Sequence, residues 1–516
     1  MIRSFLTVST GTLASRLLGF VRDSMIAALL GAGPIADAFL LAFQLTNVVR
    51  RLLTEGALNA ALIPAWLRLR DGKGEVAAAA FAGRVLATIS TVLIGATALL
   101  GLLMPFVLTA LAPGFAGKET LQLAVNDARL MLPYLAFAGP STVMLALFSA
   151  QSRFALTAFS PLLFNLALIA AMIVLIMLGK TAEFVAPALA TTVGIAGLLQ
   201  LLFLVSRRSD RIATPLRVSF DAEMRSFFAR AVPGMLANSA PQFLMVGGAV
   251  IASSSPSAVS WLYFANRLIE LPLGIVSVAM GTVLVGELTR SLRDGDAAAA
   301  AQAHALELTL GLALPATFGL IVLSEPIVRL LFEHGAFTAQ DTGATAQALR
   351  WLALALPANV LSKALAPSFF AREDTATPLK AGLIGFIVAI IAAFILSHLF
   401  GVSGVAAGIA LGAWSSAASL TRRATAAFGF SLPAATQRRF AKITVAASIM
   451  AGLLWLTIRL TLLSAPTHGL AQAMSILLTM AGGLAIYLLL LDLFGVAGWR
   501  DAVNAVRQGK PRDLRS

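Results

Sequence analysis

SFLTVSTGTLASRLLGFVRDSMIAALL, residues 4–30, decides what kind of chain this is. It is long and apolar enough to cross a bilayer, yet Arg16, Arg22 and Asp23 lie inside it. The apolar run is interrupted by charge and lacks a small-residue cleavage site behind it, so it reads as a retained first helix and not a leader. A guanidinium at the centre of a membrane helix costs roughly 2.5–3.5 kcal/mol on insertion scales, so such residues face a water-filled cavity and serve function. Two more, Arg51 and Arg267, sit within later apolar stretches. Arginine stays protonated and forks onto phosphate oxygens with paired donors, so four of them point to an anionic, phosphate-bearing cargo.

Composition leads the same way. Of 516 residues, 59% are hydrophobic and 12% charged, more apolar surface than a soluble fold of this length can bury. A net charge of +14 would suit nucleic acid, but the basic residues gather in short loops between apolar runs, where the positive-inside rule puts them. No nucleic-acid partner is expected. Cys is absent, which removes disulfides, thiolate nucleophiles and Cys-based metal sites. His304, His334, His398 and His468 show no metal-ligand spacing, and there is no Walker-type loop, Ser/His/Asp set or catalytic carboxylate pair. Gly31-Ala32-Gly33 follows no strand and is a turn. The expectation is a transporter, not an enzyme, without metal or cofactor. Coupling to membrane potential or to an ion is compatible with the sequence.

Apolar stretches near 20 residues, broken by Gly, Pro and charge, give fourteen candidate spans. They lie near 4–30, 37–66, 78–109, 121–150, 156–178, 184–206, 225–251, 258–288, 300–332, 342–370, 379–399, 402–421, 440–462 and 469–493. Basic residues alternate with them. Arg68, Arg70 and Lys73 follow span two, Arg153 span four, Arg207, Arg208, Arg211 and Arg217 span six, and Arg290 and Arg293 span eight. Arg372 and Lys380, then Arg422, Arg423, Arg438, Arg439 and Lys442, then the tail from Arg500 to Arg515 continue the series, while the opposite loops hold little beyond Lys118, Lys180 and Arg459. Both termini are therefore expected in the cytoplasm.

An offset of 221 aligns Pro105-Phe106-Val107 with Pro326-Ile327-Val328, Gly114 with Gly335 and Arg129 with Arg350. A repeat of six spans gives two halves of the same orientation, related by an axis along the membrane normal. The expected fold is an all-α polytopic membrane protein of about fourteen helices. Its parts are a first lobe 1–210, a second lobe 211–430, two additional spans in 431–495 and a basic cytoplasmic tail 496–516.

Within span one, Arg16 and Asp23 share nearly one face, Arg22 lies about a third of a turn away, and Gly19 offers a bend toward a common cavity. Arg22 could instead pair only with Asp23 or snorkel to an interface. In span two, which begins at Asp37, Arg51 and Glu55 form an i,i+4 pair. Adjacent Arg50 and Arg51 point in different directions, so both cannot be central to one site, and Arg51 is favoured. In span eight Arg267 and Glu270 are i,i+3 neighbours. Trp261 and Tyr263 read as interfacial anchors, and Ser260 either donates to a ligand or bonds its own backbone. Lys363 and Glu307 are further cavity candidates from the second half, each equally placed to sit near a helix end.

The segments 15–23, Gly31 to Phe39, Arg50-Arg51 through Glu55-Gly56-Ala57, Trp261 through Arg267, and Ala366-Pro367-Ser368-Phe369-Phe370-Ala371-Arg372 resemble the MurJ (MviN) family. Those are lipid II flippases of bacterial cell-wall synthesis, in the MOP exporter superfamily. The resemblance implies movement of undecaprenyl-pyrophosphate-linked disaccharide-pentapeptide from the cytoplasmic to the periplasmic leaflet of the inner membrane by alternating access of two lobes. It implies that Arg16, Arg22, Arg51 and Arg267 bind the anionic headgroup, that Asp23, Asp37, Glu55, Ser260 and Glu270 support or gate, and that the last two spans form a groove for the lipid tail. Membrane lipids and the cell-wall synthesis machinery are the other implied partners. Gln44 stands where some relatives carry a central Lys. A cation-coupled multidrug exporter, whose cavity would need acids and aromatics, and an O-antigen or other polysaccharide-lipid flippase of the same superfamily are the alternatives. A scaffold without transport activity is a third, and retained function after removal of the charges would favour it.

Overall fold

The computed structural model describes residues 2–54, 57–207, 213–238, 240–291, 295–370, 372, 374–430, 433–461 and 470–496. Glu55, Arg208, Arg211, Arg293, His468 and the Arg500–Arg515 tail lie outside them. The described residues are helical with no strand. In order they form α1 (Ile2–Leu30), α2 (Pro34–Thr54), α3 (Ala57–Lys73), α4 (Glu75–Leu111), a 3-10 turn (Pro113–Phe115), α5 (Glu119–Met131), α6 (Pro133–Ala150), α7 (Phe154–Met177) and α8 (Ala182–Ser206). The second half continues as α9 (Ala222–Asn238), α10 (Ala240–Ala252), α11 (Ala258–Ser291), α12 (Gly295–Val322), α13 (Ser324–Phe332), α14 (Ala339–Ala353), α15 (Ala355–Phe370) and α16 (Ala376–Phe428), followed by α17 (Ala434–Thr461) and α18 (Leu470–Leu493).

Several expected spans are broken helices. Span four becomes α5 and α6, divided just before Pro133, and span ten becomes α14 and α15. Span nine becomes α12 and α13, which meet at a bend of 77°. Spans eleven and twelve together form α16, whose helix is interrupted at Gly401 (φ 56°). Among the described residues, eight helical segments are long and apolar enough to cross a membrane, and nine when the bent pair counts as one. The chain is a multi-span membrane protein. The arginine-bearing helices α1, α2 and α11 are not among those segments, so the charged constellation occupies the less apolar helices.

Small residues set the closest helix approaches. The two arms of α16 fold back on each other with Gly404 against the Leu396 carbonyl, Gly408 against Ala393, and Gly412 against Gly385 and Ala389. Backbones this close gain van der Waals contact where lipid supplies no hydrophobic drive. The final pair of helices docks on α12: Tyr487 donates to the Gly311 carbonyl at 2.6 Å, and Arg439 of α17 pairs with buried Glu307 at 3.0 Å. Glu307 therefore holds α17 and does not line the central cavity.

Two sets of contacts close the ends of the bundle. At one end, the connection before α9 lies along α4: Arg84 meets Asp221 and Glu223, each at 2.6 Å, and Thr88 accepts from the Ser219 N–H at 3.2 Å. Hydrogen bonds from the Met224 N–H and the Ser219 hydroxyl, with Arg84 beyond them, hold the Asp221 carboxyl below the usual carboxylate range. At the opposite end, the loops that the sequence repeat aligns dock crosswise. Gly114 donates to Ser253 Oγ at 3.1 Å, and Ala336 donates to the Ala28 carbonyl at 2.8 Å.

A leucine at position 408 has no room beside Ala393. Gly408→Leu is expected to lower stability by about 1–3 kcal/mol, the usual cost of overpacking, read as a lower thermal midpoint of the purified protein.

Candidate functional site

A cavity of about 470 Å³ lies between the two halves, with walls from α1, α2, α7, α10, α11, α14, α15 and α16. Arg16, Arg22, Arg50, Arg51, Arg267 and Lys363 all line it, and Glu270 is the acid among the lining residues. Excess positive charge in a low-dielectric surround attracts an anion strongly.

Two carboxylates organise the guanidiniums. Asp23 is fully buried and accepts from Arg22 Nε at 2.9 Å and Nη2 at 2.6 Å; on its other oxygen it pairs with Arg267. Glu270 accepts from Arg51 at 2.8 Å on one oxygen and from Arg267 at 2.8 Å on the other. Arg16 reaches the Glu270 main-chain carbonyl at 3.3 Å. Asp23–Arg267, Arg51–Glu270 and Arg16–Glu270 each join a helix of the first half to α11 in the second. A buried ion pair of this kind is strongly sensitive to loss of one partner.

Glycines let the arginines approach the helix axes. Arg267 Nη2 occupies the space where a β-carbon on Gly19 would stand, and the Arg16 guanidinium does the same at Gly274. Gly19 was expected to bend its helix; α1 instead runs uninterrupted from Ile2 to Leu30, and the missing side chain makes room for a cation from across the cavity.

The remaining sequence expectations divide. Arg22 does pair with Asp23, and it also lines the cavity, donating to Asn165 Oδ1 at 2.9 Å and lying over Phe43 at 5.0 Å. Arg50 and Arg51 both line the same cavity, contrary to the expectation that only one could. Arg50 turns toward Phe164 and Asn47, and Arg51 toward Glu270, so diverging directions place two cations on one wall. Tyr263 points inward, its hydroxyl 3.4 Å from Asp23, and does not anchor at an interface. Trp261 donates to Asp341 at 2.9 Å. Arg51 pairs with Glu270 of the second half; Glu55 is outside the described residues. Asn165, which also lines the cavity, is absent from the sequence expectations. An amide within the apolar stretch 156–178 was the available signal, since such groups seek partners across helices.

Asp37 and Ser260 do not line the cavity. Asp37, near the start of α2, accepts from the Ser257 and Ser260 N–H groups at 2.8 Å each and from the Ser260 hydroxyl at 2.5 Å. It caps α11 from the other half of the chain. The first N–H groups of a helix lack internal acceptors and carry its positive dipole end, so a carboxylate there satisfies both. The Ser260 hydroxyl thus donates to Asp37 and not to its own backbone.

An all-helical bundle with broken helices, a cavity between halves and buried cations defines a polytopic transporter. A structure described as an inward-facing multidrug resistance MATE transporter of the MOP superfamily superposes with a TM-score of 0.67 at 16% identity, covering 85% of this chain and 98% of that one. A structure described as lipid II flippase MurJ in an inward closed conformation gives 0.79 at 22% identity, over 96% of this chain and 100% of that one. The family model for lipid II flippase MurJ matches residues 26–471. A probable lipid II flippase MurJ of Rhizobium meliloti (strain 1021) is 36% identical over 96% of this chain and 94% of its own length. The lipid II flippase MurJ of Burkholderia cenocepacia is 33% identical over 80% and 81%. The chain belongs to the MurJ family.

Removing Asp23 leaves two guanidiniums facing each other without their shared acid. Asp23→Ala is expected to destabilise the protein by about 3–5 kcal/mol, and the double change Asp23→Ala with Arg267→Ala by less than the sum of the single changes. Thermal unfolding of the four proteins of that cycle measures the coupling.

Proposed function

We propose that this chain carries lipid II, the undecaprenyl-pyrophosphate-linked peptidoglycan precursor, from the cytoplasmic to the periplasmic leaflet. The carrying observation is the cavity itself, where six cationic side chains from both halves surround one lining carboxylate. A pyrophosphate crossing the hydrocarbon needs compensating cations along its path, and guanidinium forks match its oxygens. The same charge argues against a cationic drug as cargo, although multidrug exporters share the fold.

In this reading residues 1–210 and 211–430 act as two lobes, with both termini and the Arg84–Asp221 end on the cytoplasmic side. The Asp37 cap on α11 and the crosswise loop contacts form the closed periplasmic gate. Headgroup phosphate enters from the cytoplasm and competes with Asp23 and Glu270 for Arg16, Arg22, Arg51 and Arg267. Those carboxylates and guanidiniums are the pairs that join the lobes, so occupancy by phosphate weakens the inter-lobe clasp as it fills the site. The last two helices provide a surface for the polyprenyl tail. An inside-negative potential favours outward movement of the anion by about 2.3 kcal/mol per charge per 100 mV.

Cells depleted of their own lipid II flippase and supplied with this chain test the reading. Rescue with the parent chain and loss of outer-leaflet lipid II with Arg16→Ala, Arg51→Ala or Arg267→Ala, at unchanged expression, is the expected result. Normal outer-leaflet lipid II with Arg51→Ala would remove that residue from the mechanism.

The gate has its own test, because the chain has no cysteine. In an Ala336→Cys background, Asp37→Ala is expected to raise labelling by an impermeant thiol reagent about tenfold, matching loss of a charged hydrogen bond worth roughly 1.5 kcal/mol or more. An unchanged rate would count against Asp37 as a gate residue.

A further inference from the structure

Arg129 and Arg350, the arginines that the internal repeat aligns, do not line the cavity. Both stand in the last turn of their helices, α5 and α14. Each donates through Nε to the helix before its own: Arg129 to the Gly101 carbonyl of α4 at 3.0 Å, and Arg350 to Ser324 Oγ, at the start of α13, at 2.8 Å. The grip is the same, but the helix gripped differs. α4 runs unbroken from Glu75 to Leu111, whereas its counterpart is divided into α12 and α13 by the 77° bend at Leu323. A helix that stops leaves its last carbonyls without N–H partners. Ser324, fully buried, donates its hydroxyl to the Ile321 carbonyl at 3.2 Å and accepts Arg350 on the same oxygen. One hydroxyl thus ties together the end of α12, the start of α13 and α14.

The far end of α13 meets the first half. Ser24 of α1 donates to the Leu331 carbonyl, Phe20 of α1 lies against Phe332 at 5.7 Å between ring centres, and the Ala336 N–H reaches the Ala28 carbonyl at 2.8 Å. The Ala28 carbonyl stands where a β-carbon on Gly335 (φ 58°) would be. A rigid nine-residue helix packed this closely turns a change of angle at one end into a displacement at the other. We infer that Arg350 is a positioning residue of the periplasmic gate: by holding Ser324 it fixes the angle of α13, and that angle seats residues 331–337 on α1. This role rests on the reading of that end as the gate and adds to it a side chain of the second half outside the cavity.

Hydrogen–deuterium exchange of the purified full-length chain, followed in peptides covering 24–36 and 331–338, tests the role. Gln places an N–H donor at the position of the Arg Nε without the charge, and Met keeps the length without the donor. Arg350→Met is expected to speed exchange about tenfold in both peptides, the effect of losing one charge-assisted hydrogen bond, and Arg350→Gln to stay near the parent rate. Ser324→Ala should match Arg350→Met, with the double change no faster than either single one. Arg129→Met should leave both peptides at the parent rate, because α4 has no joint there to hold. Asp37→Ala, which removes the cap on α11, should speed exchange in 24–36 by its own route. Faster exchange confined to 331–338 would mean that α13 does not act on the first half and would overturn the inference. So would equal effects of Arg350→Gln and Arg350→Met, an equal effect of Arg129→Met, or parent rates with Arg350→Met where Asp37→Ala speeds 24–36. Parent rates in 24–36 with both Asp37→Ala and Arg350→Met would instead remove the gate reading at this end, and the inference with it.

Discussion

Two carboxylates set against four guanidiniums are the constraint around which the rest is arranged. Arg16, Arg22, Arg51 and Arg267 converge in a space of low dielectric, where like charges repel over longer distances than in water. Asp23 and Glu270 each bridge two of these guanidiniums, and neither bridge is confined to one half. The electrostatic balance that makes the arginines tolerable is therefore the balance that holds the halves together. Fold and site are coupled through the two of these pairs that cross between the halves, Asp23–Arg267 and Arg51–Glu270.

The backbone is shaped to allow this. Gly19 and Gly274 are bare where Arg267 and Arg16 pass, which brings each guanidinium close to the helix opposite its own. A cation that reaches across in this way cannot stay paired if the helices separate. At the start of α11, Asp37 of α2 caps the helix and completes the contact at that end. The α1, α2 and α11 junction thus carries ionic contacts in its middle and a capping contact at its end, and any opening at that end must break charge-assisted bonds of both kinds.

The membrane class and all-helical character were legible from apolar run lengths, because bilayer thickness leaves few alternatives. Arg267 and Glu270 as partners were legible from i,i+3 spacing. Helix breaks within spans were less so: Pro133 and Pro326 stand just after two of them, but Pro105 and Pro161 lie inside helices that run on. The crossing pairs were not legible at all. Asp23–Arg267 and Arg51–Glu270 are separated by more than 200 positions, and sequence spacing speaks only for neighbours on one helix. Spacing therefore offers Arg51 only its near acid, Glu55, which lies outside the described residues, and favours Arg51 over Arg50 on the ground that adjacent side chains diverge. Divergence on a helix excludes a shared point, not a shared wall.

The distribution of charge also bears on what kind of cargo this fold accepts. Multidrug exporters with the same architecture share its helices and its cleft between halves, so architecture alone does not choose between a cation and an anion. The choice lies in which sign is left over once internal pairs are satisfied. Among the charged groups described at the cavity, two acids, Asp23 and Glu270, stand beside six cationic side chains. A cationic cargo would add to an existing surplus and meet repulsion. An anionic cargo reduces it, and because the acids already occupy part of each arginine fork, its arrival replaces one set of ionic contacts with another instead of adding to them. Such an exchange limits how tightly the anion is held, and a transporter that must release its cargo on the far side requires that limit.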